Sequence, residues 1–223
     1  EKNCHTNPGD IAPPSKFNEL ITIHENEESE IIRRDLGLVK KFKTRYHVQH
    51  LSSKKSVELI KEAKENNLPV TAEVTPHHLL RSNLDINTND GSLKMYPPLR
   101  SEEDRQALIE GLKDGIIDVI ATDHAPHPSA TKEVSFKESA RGVVGLESAF
   151  VALFSSNIFT LDELIYFMSK NPQNILKSLG YDTSNTLANT WIETDSVFST
   201  KSFFKNSAFE NLEVKIKKEF SNV

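Results

Sequence analysis

Three stretches of the chain end in residues that can hold a metal ion or move a proton. Tyr46-His47-Val48-Gln49-His50 carries two histidines, and Thr71-Ala72-Glu73 ends on a carboxylate and is followed by Pro76-His77-His78. Ala121-Thr122-Asp123-His124-Ala125-Pro126-His127 sets an aspartate between an apolar run and two more histidines. In an extended segment side chains alternate, so Tyr46, Val48 and His50 share one face and His47 and Gln49 the other. Only one histidine then ends the inward-facing row, and His50 is the better ligand candidate. Zinc takes imidazole nitrogen and carboxylate oxygen, lowers the pKa of its bound water to about 7, and leaves a carboxylate to handle that water's proton. His50 and Asp123 are the residue types for that chemistry. A lone histidine at a strand end more often serves only as a loop hydrogen-bonding group. The clustering at three successive strand ends sets these two apart.

The elements that must position them follow from periodicity. From Glu28 onward, Ile31, Ile32, Leu36, Val39 and Phe42 recur at helical spacing, with Lys40, Lys41 and Lys43 near the C-terminal end. Residues 46–51 read as a strand. Ser52 or Ser53 can cap a helix striped by Val57, Leu59, Ile60 and Ala63, and 69–74 is a second strand. Ser101 caps a helix carrying Ala107, Leu108 and Leu112, Gly115 stops it, and 116–121 is an apolar run of the buried parallel-strand type. Residues 142–154 and 161–179 read as helical, the second broken or restarted at Pro172.

Alternating helices and strands imply a parallel sheet or barrel, with its chemistry at the C-terminal strand ends. Three strands are too few for an eight-stranded barrel, which takes about 250 residues. The expected fold class is therefore α/β, a partial TIM-type (β/α) barrel with a short C-terminal appendage. Residues 1–27 read as loop with a short strand at 20–23, residues 28–180 as the partial barrel, and residues 181–223 as a small, β-type appendage. That last stretch is rich in Ser, Thr and Asn with Trp191, Phe198, Phe203, Phe204 and Phe209.

A net charge of -5 on 223 residues gives no broad basic footprint for nucleic acid or an anionic membrane. No apolar run approaches the roughly 18 residues that span a bilayer. Cys4 is the only cysteine, so no intrachain disulfide can form, which fits a reducing, cytoplasmic setting. The chain opens on Glu1 rather than Met, and the expectation is that residues precede it.

Four segments together carry a resemblance. Tyr46-His47-Val48-Gln49-His50-Leu51-Ser52-Ser53, Thr71-Ala72-Glu73-Val74-Thr75-Pro76-His77-His78-Leu79, Pro97-Pro98-Leu99-Arg100-Ser101 and Ala121-Thr122-Asp123-His124-Ala125-Pro126-His127 look like successive signature segments of bacterial-type dihydroorotases, in the same order and separation. The resemblance covers residues 28–180. It implies a β/α barrel with one or two zinc ions that hydrolyses dihydroorotate to N-carbamoyl-aspartate, and closes that ring in pyrimidine biosynthesis. By motif position His50 resembles a zinc-ligand histidine. Asp123 resembles the zinc-binding aspartate that shuttles the proton, and His127 a residue that helps hold the substrate carboxylate. Arg141-Gly142 falls where the family uses backbone near the substrate ring, and Tyr96 where it usually has a substrate-binding Asn. His77 and His78 read as structural. His24-Glu25 resembles another ligand segment, but counting back from the helix at Glu28 puts Glu1 near that glutamate, just past the family's remaining ligand histidine.

Other features depart from the family. No His-x-His pair precedes His50, no candidate for a metal-bridging carboxylate or carboxylated lysine is evident, and Leu187-Ala188-Asn189 replaces the expected Gly and Ala-Asp pattern. Two protein ligands fall short of the three that a catalytic zinc normally has. The chain alone is therefore expected to bind zinc weakly and turn over little substrate, and to need a partner or the rest of a barrel to cover its sheet edges. The expected function is a dihydroorotase-like cyclic-amide hydrolase. The alternatives are a noncatalytic homologue that serves as structural partner of aspartate transcarbamoylase, and a hydantoinase or allantoinase; a homo-oligomer is also open. Glu-Val-Thr-Pro-His-His and Pro-Pro-Leu-Arg weigh toward dihydroorotase.

Overall fold

The computed structural model describes residues 27–183 and two short strands at 197–199 and 213–215. The expected loop and short strand before residue 27, and most of the appendage, lie outside the described residues.

Helix α1 (Glu27–Phe42) leads into strand β1 (Tyr46–Val48). Helix α2 (Lys54–Glu65) starts at Ser53, whose side chain accepts from Ser56 N, and ends where Leu68 feeds strand β2 (Val70–Val74). A one-turn helix α3 (Pro76–Leu80) follows, capped by Thr75. Helix α4 (Glu102–Lys113) opens with a capping box between Ser101 and Asp104, and three acidic residues in its first turn complement the helix dipole. Strand β3 (Val119–Ile120) comes next. Gly115, at φ +71°, takes the left-handed conformation that ends the preceding helix cheaply.

The three strands pair in parallel in the order β1-β2-β3. Tyr46, His47 and Val48 lie opposite Val70, Thr71 and Ala72, and Glu73 and Val74 lie opposite Val119 and Ile120. Sequential parallel neighbours joined by helices are the repeating pattern of a (β/α) barrel. One face of this sheet, with Val48, Val70, Ala72 and Val74, is buried against Val57 and Ile60 of α2 and Leu108 and Leu112 of α4 in a single core. The opposite face carries His47, Thr71 and Glu73 and borders a cavity of about 710 Å³ also lined by Ile175 and Leu176. A parallel sheet whose connecting helices α2 and α4 pack on the same face is an arc of a barrel wall.

That parity corrects the sequence reading. Tyr46 and Val48 share one face and His47 takes the other, as alternation requires, but the face with Val48 meets the helices and His47 takes the lumen side, so the row expected to face inward is the helix-covered one. Apolar residues take the helix-covered face because that is where a partial barrel removes them from water. β1 also stops at Val48 instead of reaching Leu51, since His50 leaves the extended region at φ +39°. β3 is likewise shorter than the apolar run 116–121.

At the N-terminal end of the sheet, Asp118 accepts from Ala72 N (2.8 Å) and from Lys64 Nζ (2.8 Å). Asn171 Nδ2 donates to Asp118 O at 2.8 Å, which fastens helix α8 (Asn171–Ser178) to the strand. The helical stretch expected at 161–179 is helix α7 (Leu161–Ile165), a wider turn over Tyr166–Lys170, and α8. Pro172 sits in the first turn of α8, where its missing N–H costs nothing.

The stretch 142–154 is not one helix. Val143 forms a parallel bridge with His124, Ala125 N donates to Val143 O at 2.9 Å, and helix α6 spans only Ala149–Ser155. Gly145 N and Leu146 N both point at His124 Nδ1, at 3.2 and 3.1 Å, so amides that a helix would use are spent on an imidazole. The short helix α5 (Ser129–Lys132) lies in the loop before this stretch. Ile86, Met95, Leu99, Phe136, Val143 and Ala152 make a second, smaller core beneath these loops. Beyond the barrel segment, β4 (Val197–Ser199) and β5 (Glu213–Lys215) pair antiparallel.

Candidate active site

His50 and Asp123 stand just past the ends of β1 and β3 on neighbouring backbone turns of the same unusual kind. Their φ angles are +39° and +47°, in a region that non-glycine residues enter rarely and at a cost of order 1–3 kcal/mol. Surrounding contacts must hold them there. Leu51 N donates to Glu73 O at 2.9 Å and Ala121 N to Val74 O at 3.0 Å, so each turn is fixed to the central strand. The turns bring the two side chains into electrostatic contact. Burial raises the Asp123 carboxyl above its ordinary value, the His50 imidazole pulls it back, and the Glu73 carboxylate raises it again. Three groups from three strands thus share one mouth of the sheet.

His47, on the lumen side, is held between Thr71 Oγ1 at 2.7 Å from Nδ1 and Glu73 Oε2 at 3.0 Å from Nε2. A carboxylate only accepts, so Nε2 carries the proton toward Glu73, and a neutral ring then accepts from the threonine hydroxyl. His77 and His78 are almost fully buried in α3. His78 Nε2 donates to Pro97 O at 3.0 Å and its Nδ1 meets Thr75 Oγ1 at 2.8 Å; burial pushes its pKa down to about 4. Burial also lowers His77 well below its usual value, and its Nε2 has no hydrogen-bond partner. His78 thus ties α3 to the Pro97 segment, while His77 packs beside it with ring centres 4.6 Å apart.

Behind His50 lies a polar network that sequence inspection did not single out. The Glu28 carboxylate accepts from Ser52 N at 3.2 Å, Ser53 N at 3.3 Å, Ser53 Oγ at 3.2 Å and the Ser52 hydroxyl. Arg100 Nε donates to Ser52 Oγ at 2.7 Å, and its guanidinium lies 3.9 Å from Glu28. α1, the turn after His50 and the Pro-Pro-Leu-Arg segment are thereby tied together. A cavity of about 300 Å³ in front of this network is lined by His50, Tyr96, Pro97, Glu28 and Arg100. Tyr96 precedes a cis peptide bond to Pro97.

Gly142, at φ +123°, packs so closely on the other loop that a Cβ there would lie 2.7 Å from Ala125 Cβ and 3.0 Å from His127 Nε2. Its N–H donates to Lys94 O at 2.9 Å. The structure therefore joins His50 with Asp123, Tyr96 with His50, and Gly142 with His127, and it links the Tyr96 and Gly142 segments through Lys94. Arg141 is carried beside Gly142.

As a metal centre the arrangement is incomplete: among the described residues no three His, Cys, Asp or Glu side chains gather closely enough to hold an ion. The donor types of His50 and Asp123 suit zinc, but two ligands do not make a catalytic zinc site.

Comparison with known proteins agrees with this architecture. A dihydroorotase of Ligilactobacillus salivarius (strain UCC118) is 51% identical over 149 residues, 65% of this chain and 35% of that protein. A dihydroorotase of Listeria innocua serovar 6a is 49% identical over 154 residues, 67% of this chain and 36% of that protein. The chain thus spans about a third of the length of these curated relatives. Among solved structures, the L-hydantoinase (dihydropyrimidinase) from Arthrobacter aurescens superposes with a TM-score of 0.73 and 30% identity, over 83% of this chain and 45% of that one. With an amidohydrolase family model matching residues 15–181, and the fold to go with it, the chain belongs to the amidohydrolase family.

Proposed function

We propose that this chain forms the C-terminal part of the active site of a dihydroorotase-type cyclic-amide hydrolase, one that interconverts dihydroorotate and N-carbamoyl-aspartate in pyrimidine biosynthesis in the cytoplasm. The observation that carries this reading is the meeting of His50 and Asp123, both in strained left-handed turns, at the C-terminal mouth of a parallel sheet. That is where barrel enzymes keep their chemistry. About 50% identity to dihydroorotases over 149 and 154 residues supports the substrate class.

In the hydrolytic direction water adds to the ring amide carbonyl. Asp123, its proton affinity raised by burial and by Glu73, accepts the water proton as the C–O bond forms and returns it to the ring nitrogen as the C–N bond breaks. His127, the Arg141-Gly142 backbone and Tyr96 are assigned to the substrate side. When bound, zinc would supply an acidified water and a polarised carbonyl. His50 and Asp123 would be its ligands here, and the described residues do not complete the set. The remaining ligands would come from the rest of a barrel or from another chain, in a homo-oligomer or a complex with aspartate transcarbamoylase.

The deciding experiment is zinc content together with dihydroorotate hydrolysis on the purified chain, with Asp123→Asn as control. Little zinc and little turnover are expected from this chain alone. Activity should appear when the remaining barrel is supplied, and Asp123→Asn should abolish it. Stoichiometric zinc with activity lost in the control would show a complete site and refute the partial-site reading. Tyr96 favours a second reading: its phenol lines the His50 cavity at the position where the resemblance implies a small amide, which suits a noncatalytic homologue. Inactivity after the barrel is completed would select it.

A further inference from the structure

We propose that Lys132 is a positioning residue, a buried ammonium that clamps the segment bearing Tyr96 to the segment bearing Arg141 and Gly142. The substrate-side meaning of the clamp rests on the functional reading above; the clamp itself rests on geometry. Lys132 ends the short helix α5 and is only 2% exposed. Its Nζ donates to Lys94 O and to Ala140 O, each at 3.0 Å. Lys94 lies two residues before Tyr96, and Ala140 immediately precedes Arg141. The Lys94 carbonyl also accepts from Gly142 N at 2.9 Å, and Ala140 N donates to Thr131 O at 2.8 Å. Two loops that share no secondary structure are thus sewn together at one ammonium, and Gly142 carries the connection on to His127.

The chemistry of the clamp calls for a cationic donor on a long stem. Two main-chain carbonyls from different loops need separate N–H groups, and an apolar side chain would leave Ala140 O without this donor in a closed space. The surroundings are built around the lysine. A Cβ at Gly91 would come within 2.7 Å of Lys132 O and 2.2 Å of Ser139 Cβ, so only glycine lets that strand of chain pass. Among the described residues no carboxylate pairs directly with the ammonium: burial lowers its pKa to about 8, Lys94 adds to that, and Asp90 opposes it. Holding a charge at that cost is unneeded for filling a core, where a methionine would pack as well without desolvating an ion. It is accounted for by the need to fix two loops in register beside a ligand. Lys94 makes a single contact of the same kind, with Nζ donating to Lys137 O at 2.9 Å and lying 5.8 Å from the Phe136 ring centre.

The test compares the unaltered protein with Lys132→Met by amide hydrogen exchange resolved to peptides and, with the remaining barrel supplied, by dihydroorotate binding. Exchange is expected to speed up about tenfold or more in residues 93–99 and 140–145, the loss of one to two hydrogen bonds, with α2 and α4 unchanged. Dihydroorotate affinity is expected to fall by a similar factor, which a residue that only fills space would not cause while the helices stay protected. Should Lys132→Met lose protection in α2 and α4 as well, Lys132→Gln, which keeps a shorter donor, is read in its place. Wild-type exchange rates in both loops overturn the clamp whatever the ligand does. Unchanged affinity alongside faster loop exchange overturns the positioning role. If the unaltered protein binds no dihydroorotate even with the remaining barrel supplied, the functional reading fails, and the exchange result alone decides the clamp.

Discussion

Replacing Glu28 with alanine should unfasten the backbone that follows His50. The Glu28 side chain is 13% exposed and that of Arg100 10%, so both charges sit largely out of water. Four donors from Ser52 and Ser53 converge on the carboxylate, and Arg100 reaches the same Ser52 hydroxyl. Removal strands a guanidinium and two main-chain amides. Breaking one side of a buried charged pair costs about 3 to 5 kcal/mol, whereas an exposed ion pair is worth about 1 kcal/mol or less. The 3.9 Å separation from Arg100 is too long for a strong direct bond, so the hydrogen bonds carry most of the effect and the lower end, about 3 kcal/mol, is expected. Glu28→Gln keeps the volume and one acceptor oxygen and should cost about 1 to 2 kcal/mol. Glu28→Ala combined with Arg100→Met should cost less than the sum of the two, because the second change removes the charge that the first one stranded. Urea unfolding followed by far-ultraviolet circular dichroism reads these values as midpoint shifts at constant slope. A cost below about 1 kcal/mol for Glu28→Ala, or strict additivity in the double variant, would refute the network argument.

Two further changes test the same site. Gly142→Ala would force a Cβ to 2.7 Å from Ala125 Cβ at φ +123°, and should destabilise by about 1 to 3 kcal/mol and displace His127, seen as a lowered melting temperature and a shifted imidazole resonance. Acid should destabilise the protein through its buried histidines: with the folded pKa of His78 near 4 and the unfolded value near 6.5, the unfolded chain binds the extra proton between those values. Stability is then full above about pH 6.5 and lost as pH falls toward 4, by about 3 kcal/mol from this group, with His77 acting in the same direction. His78→Gln should flatten the slope of unfolding free energy over that range, and an unaltered slope would show that His78 is not buried neutral.

How much of this was legible in the sequence differs by element. α2 and α4 were, because their signals are local: Ser53 and Ser101 cap them, and their apolar stripes repeat at helical spacing. The parallel class of the sheet was legible from alternation, and so was the placement of His50 and Asp123 at strand ends. The reason given for His50 was not right. Strict alternation assigned it to the inward row with Val48, yet Val48 packs on the helices, and a left-handed turn carries His50 to the mouth. Residues 142–148 have helical-looking composition, but His124 takes up the Gly145 and Leu146 amides, a partner some twenty positions away.

The sequence by itself determined most of the element types and the family, and it singled out His50 and Asp123 as candidates, since each of these depends on a residue's own chemistry and its near neighbours. The tertiary structure alone decided which strand face meets the helices and which carboxylate holds the turn after His50. It also decided that an unremarkable lysine in a polar loop would become a buried clamp. Burial and hydrogen-bond pairing are settled by segments that are distant along the chain, as Glu28 is from Ser52 and Lys132 from Lys94, and no local pattern records them.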